Sequence, residues 1–144
     1  MINRINLICL GVKNIDKSLS FFKALGFKTT AQFGAPIVFF NNSGTKLELY
    51  PVEELAKDIN EVNPPVIQTT GFSGITLACN MKTKEAVDEL MNLVQIHGGT
   101  IVKTPKTTSW GGYSGYFRDL DGYYWEVAYG PMWQFDAQDM LIID

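Results

Sequence analysis

The stretch NRINLICLGVKNIDKSLSFFKALGF, Asn3 to Phe27, decides the fold. Its opening part, Asn3 to Val12, is β-branched and apolar and reads as a strand. Asn14 or Asp16 then supplies a helix cap. Leu19, Phe21, Phe22 and Leu25 follow at helical spacing, and Gly26 stops the helix. Beyond it, Phe27 to Phe33, Ile37 to Asn41 and Thr45 to Pro51 read as three short strands. Turns at Gly34-Ala35-Pro36 and Asn41-Asn42-Ser43-Gly44 join them. The order is strand, helix, three strands.

The same order returns further along the chain. Ser73 to Cys79 reads as a strand. A helix is expected from about Thr83 to Ile96, with Ala86, Val87, Leu90, Leu93 and Val94 on one face, ending at His97-Gly98-Gly99, where His97 caps its C-terminus. Strands are expected near Thr100 to Thr104, Gly112 to Arg118 and Tyr123 to Tyr129, the last two joined by the turn Asp119-Leu120-Asp121-Gly122. The halves align: LICLGV at Leu7 to Val12 matches GITLAC at Gly74 to Cys79, and LELY at Leu47 to Tyr50 matches WEVAY at Trp125 to Tyr129. One copy of such a unit leaves an apolar sheet edge exposed, and pairing two copies covers it. The expected fold is therefore α+β: two tandem β-α-β-β-β modules pairing into an eight-stranded curved sheet, a cup with helices outside. Module one spans about 1–52, a polar connector about 53–70 with a short helical piece at Glu53 to Ile59, module two about 71–130 and a tail about 131–144, all in a single domain.

Composition bounds the function. The 144 residues are 46% hydrophobic and 19% charged, which suits a globular chain able to bury a core. The net charge is −3 with no basic stripe, which argues against nucleic acid as a partner. No apolar run is long enough for a membrane span. The opening residues turn polar too soon for a secretory signal, so a cytoplasmic location is expected. Cys9 and Cys79 sit in apolar runs without a CxxC or a neighbouring histidine, and read as reduced core thiols.

Val12 to Phe27, VKNIDKSLSFFKALGF, and Asp119 to Val127, DLDGYYWEV, together with the repeat, resemble the vicinal oxygen chelate superfamily. That group includes glyoxalase I, fosfomycin-modifying enzymes, extradiol dioxygenases and bleomycin resistance proteins. The resemblance covers essentially the whole chain. It implies a small-molecule cup and a homodimer. In metal-bearing members each module supplies two ligands to one divalent ion, commonly a His from the opening strand and a Glu from the closing strand. Carried onto this chain, the closing-strand positions are Glu48 and Glu126, and both match. The opening-strand positions fall at Leu7 and Gly74, which cannot ligate. The only histidine, His97, is not at a ligand position. No bound cofactor is therefore expected. A divalent metal held by Glu48 and Glu126 and completed by substrate oxygens is the alternative.

The residues themselves point to a pocket. Strand alternation sends Leu47 and Leu49 to one face and Glu48 to the other, and treats Glu126 the same way between Trp125 and Val127. Glu48 and Glu126 are thus the candidate catalytic or hydrogen-bonding acids. Lys46 shares the face of Glu48 and could pair with it, while Tyr124 shares that of Glu126. Trp110, Tyr113 and Tyr116 sit in or beside a glycine-loosened loop, and with Tyr124 they are candidate ligand-binding rings. Arg118 is a candidate anion anchor, with a tie to its own acidic turn as the competing role. Lys103 and Lys106 read as a solvated loop. Three functions follow. One is a glyoxalase/bleomycin-resistance-like protein that binds a small organic molecule without the usual metal. The second is a metal-dependent lyase or isomerase acting through Glu48 and Glu126. The third is metal-free lyase, isomerase or epimerase-like chemistry with one carboxylate as base.

Overall fold

Asn14 sits in extended backbone and its side chain accepts from Lys17 N at 3.0 Å, which nucleates the first helix where the strand period ends. In the computed structural model, which describes residues 1–144, the chain divides into two units, Met1–Ser73 and Gly74–Asp144. The first holds β1 (Leu7–Val12), α1 (Ile15–Ala24), β2 (Val38–Phe39), β3 (Lys46–Pro51) and α2 (Val52–Ile59). Its three-stranded sheet runs in the order β1-β3-β2, with β1 parallel to β3 and β2 antiparallel to it. Leu10, Val12, Leu47 and Leu49 are buried, as are Leu19, Phe21 and Phe22 of α1. Phe22 meets Phe21, Phe27 and Phe40 edge-on, with centroids 5.1, 5.6 and 6.0 Å away.

The expected strand at Phe27 to Phe33 does not form, so the sheets hold three and four strands rather than eight in all. Its groups are taken locally. Asn41 N reaches Lys28 O at 2.7 Å, but Thr29 Oγ1 donates to Phe39 O and accepts from Ala31 N. Such side-chain bonds compete with a ladder. Gly34 N is drawn off to Asp16 Oδ1 at 2.9 Å. The strand expected at Ile37 to Asn41 shortens accordingly to β2.

The second unit holds β4 (Thr76–Met81), α3 (Lys84–Ile96), β5 (Thr100–Thr107), β6 (Tyr113–Arg118) and β7 (Tyr124–Tyr129). This is the expected strand, helix, three strands. The sheet order is β4-β7-β6-β5, with β4 parallel to β7 and the other pairs antiparallel. Thr83 caps α3 by accepting from Ala86 N, and His97 ends it. Val87, Leu90, Met91 and Val94 are buried with Phe117, Trp125 and Val127 of the sheet, and the Phe117 and Trp125 rings stack at 5.8 Å. Gly115 is where β5 and α3 close in: a Cβ there would stand 2.6 Å from Lys103 O and 3.0 Å from Met91 Cε. The ladder between β5 and β6 slips twice beside it.

The opening strand of this unit begins later than expected. Register pairs Leu7 with Lys46 and Cys9 with Glu48 in the first sheet, and Thr76 with Tyr124 and Ala78 with Glu126 in the second. The residue equivalent to Leu7 is thus Thr76, not Gly74. Gly74 lies outside the strand at a φ of 85°, a left-handed conformation that a strand does not accommodate. No helix is long and apolar enough to cross a membrane.

Candidate functional site

In the first unit, Glu48 lies beside Cys9 on β1 and Phe39 on β2. This face is not bare. Gly11 allows α2 to approach, since a Cβ there would come within 2.9 Å of Val52 Cγ2. Burial, then the charge and hydrogen bonding of Glu48, then Asp58 of α2, push the Cys9 thiol up to about 11. Lys46 does not turn to Glu48: its ammonium donates to the Asn42 carbonyl, and Asn42 also accepts from Leu47 N at 2.9 Å. A thiol with that pKa is about 0.1% ionised at pH 8. We expect iodoacetamide to label Cys9 far more slowly than a free thiol, and Glu48→Gln to speed it several-fold. Mass spectrometry resolves Cys9 from Cys79. Equal rates in the two proteins would show that Glu48 does not hold the proton in place.

In the second unit, Ser114, Tyr116 and Arg118 of β6 alternate onto the sheet face away from α3, in register with Ala128, Glu126 and Tyr124 of β7. Tyr116 Oη donates to Glu126 Oε2 at 3.0 Å, and burial followed by this bond raises the Tyr116 phenol above its usual range. Lys103 Nζ stands 5.8 Å from the Tyr116 ring centroid. Around Glu126 and Tyr116 opens a cleft of about 430 Å³, lined also by Lys103, Lys106, Thr107, Thr108 and Trp110. That is within the size range of small-molecule sites.

The loop bearing Trp110 is held rather than loose. Thr108 N donates to Gly112 O at 2.9 Å, Gly112 N to Thr108 Oγ1 at 3.0 Å and Gly111 N to Thr108 O at 3.1 Å. Trp110 packs directly over Gly112, where a Cβ would fall 2.0 Å from its ring, and stacks on Trp133 at 5.4 Å. The indole stays half-exposed and lines the cleft. The tail is pinned by the same stack and by an ion pair from Lys82 to Asp139.

Of the sequence candidates, the cleft thus gathers Glu126, Tyr116 and Trp110. Tyr124 shares their sheet face at the Arg118 end. Tyr113 does not join them. It alternates to the helix side and donates to Asp88 Oδ1 of α3 at 2.7 Å, with Lys84 over its ring. Arg118 does not tie down its acidic turn. Asp119 is served instead by Asp121 N, Tyr123 N and Trp125 Nε1, each at 3.0 Å, and Arg118 Nε is buried without a partner. Glu48 and Lys46 belong to the first unit. Lys103 and Lys106, read from sequence as a solvated loop, line the cleft because β5 runs on to Thr107, past Pro105. Their alternation with a slipping register left no regular signal to find.

The sequence model of the Glyoxalase/Bleomycin resistance protein/Dioxygenase superfamily matches residues 4–127. The chain belongs to this superfamily. Among solved structures, a glyoxalase-related enzyme from Fulvimarina pelagi is 24% identical over 99% of both chains, with a TM-score of 0.86. A hypothetical protein from S. aureus is 26% identical over 90% of this chain and 95% of its own, with a TM-score of 0.74. A lactoylglutathione lyase from Agrobacterium tumefaciens is 20% identical over 94% of this chain and 100% of its own, with a TM-score of 0.68. No curated protein sequence matches the chain.

The superfamily implies a divalent metal, and the donors in either unit fit one poorly. Beside Glu126 the opening strand offers Thr76 and Ala78, and Glu126 itself is engaged by Tyr116. Beside Glu48 it offers Leu7, which cannot ligate, and the single thiol of Cys9. No three His, Cys, Asp or Glu side chains come together to hold an ion.

Proposed function

We propose that this superfamily member binds a small organic molecule in the cleft of its second unit, without a resident divalent metal. The observation that carries the reading is the junction of an ordered, half-exposed indole with a hydrogen-bonded Tyr116–Glu126 pair across one pocket-sized cleft. A flat ring offers stacking area at low conformational cost, and a fixed phenol–carboxylate pair supplies direction. Glu126 and Tyr116 then act as hydrogen-bonding anchors, while Tyr124 extends the polar side of the same face. The same reading takes the working form to be a homodimer, as the resemblance implies, located in the cytoplasm.

Two titrations test it. A library of small aromatic compounds, followed by intrinsic fluorescence and calorimetry, should yield binders whose affinity falls at least tenfold on Trp110→Ala. A matched calorimetric titration with Ni²⁺, Zn²⁺ and Mn²⁺ should show no tight binding. Micromolar metal affinity that vanishes in Glu48→Ala or Glu126→Ala would replace this reading with that of a metal-dependent lyase or isomerase.

A further inference from the structure

Charge narrows what the cleft can select. The ladder sets Lys106 opposite Ser114, Lys103 opposite Tyr116 and Thr100 opposite Arg118. Directly paired residues share a sheet face. Ser114, Tyr116 and Arg118 lie on the face away from α3, so Lys103, Lys106 and Arg118 line up there. The only carboxylate among the residues paired across this face is Glu126, and its Oε2 already accepts from Tyr116. The acidic groups Glu85 and Asp88 belong to α3, on the opposite side, where Asp88 holds Tyr113. A chain of net charge −3 thus presents a locally cationic face at this cleft. Clefts lined by one sign of charge concentrate the opposite ion.

The geometry of the groups matches one kind of molecule. Lys103 is half-buried and Lys106 exposed, and both line the cleft. Trp110 closes the same cleft with a ring backed by Trp133. We propose that the cleft takes a small planar oxyanion, its aromatic ring against Trp110 and its charged oxygens between Lys103 and Lys106. The inference rests on the binding reading above and adds to it the sign of the ligand's charge. Arg118 supports the anion as a fixed charge on the same face rather than as a direct partner.

The full chain is titrated by calorimetry with benzoate and phenyl phosphate, and in parallel with neutral benzamide and cationic benzylamine. Both anions should bind at least tenfold more tightly than benzamide, benzylamine should bind most weakly, and added salt should narrow the gap. The Lys103→Gln/Lys106→Gln double variant, checked for native circular dichroism, should bring the anions down to the level of benzamide. Lys103→Arg/Lys106→Arg should retain the preference, which separates charge from packing. If benzamide or benzylamine matches benzoate, or if the preference survives the double Gln substitution, the anion inference fails while the binding reading stands. If no probe binds and Trp110→Ala changes nothing, the binding reading falls and this inference with it.

Discussion

Asp119→Ala lowers the stability of the second unit by about 2–4 kcal/mol, the scale of orphaned buried donors. The residue is 5% exposed, and its carboxylate accepts from Trp125 Nε1, Tyr123 N and Asp121 N. Alanine leaves the buried indole N–H without an acceptor and opens the turn between β6 and β7. The strand carrying Glu126 is thereby unmoored. All three tryptophans, Trp110, Trp125 and Trp133, lie in this unit, so urea unfolding followed by tryptophan fluorescence reads the change directly. A midpoint unchanged from that of the natural chain would show that water replaces the carboxylate at no cost.

The same carboxyl makes a pH prediction of definite sign. Burial pushes Asp119 up to about 6 from 3.8, against the pull of its three donors. The folded chain therefore holds this proton more tightly than the unfolded chain. Below about pH 4 both forms are protonated. As pH rises through 4 to 6 the unfolded chain ionises first, so the contribution falls, then levels above the folded value. Two pKa units correspond to about 3 kcal/mol. Asp119→Asn should remove this downward slope, and a parallel slope in both proteins would assign it to other carboxyls.

Phe22→Ala produces the second large effect, a loss of about 3–5 kcal/mol in the first unit. Phe22 is 1% exposed and is the ring shared by Phe21, Phe27 and Phe40. Its removal leaves a cavity in the buried core of this unit and loses three edge-to-face contacts. Hydrogen exchange of the β1 and β3 amides reports this unit, which contains no tryptophan. Protection retained in β3 would mean that the neighbouring rings close over the gap. Phe22→Leu should cost less than half as much, because it keeps most of the buried volume.

Both variants act on features with different legibility in the sequence. The spacing of Leu19, Phe21 and Phe22 marked α1 and its buried face, while its cap was legible only as Asn14 or Asp16, of which the structure takes Asn14. Alternation around Glu48 and Glu126 placed the neighbouring leucines, Trp125 and Val127 in the core. The Asp119 turn was legible as a turn, yet its carboxylate turned inward to an indole six residues on, where an arginine partner was expected. The strand at Phe27 to Phe33 failed for a similar reason. Its alternation is suitable, but the Thr29 hydroxyl and Asp16 took groups that a ladder needs.

By itself the sequence determined the two strand–helix runs and which side of each closing strand is apolar. These are properties of contiguous residues, set by the periods of helix and strand and by local capping. Only the tertiary structure decided that Thr76 rather than Gly74 stands in the place of Leu7, that α2 approaches the Cys9–Gly11 side of β1, that Tyr113 turns to Asp88, and that Lys103 and Lys106 reach the cleft of Glu126. Each depends on which strands pair and in what register. A shift of one residue moves a side chain to the opposite face while leaving the local pattern unchanged.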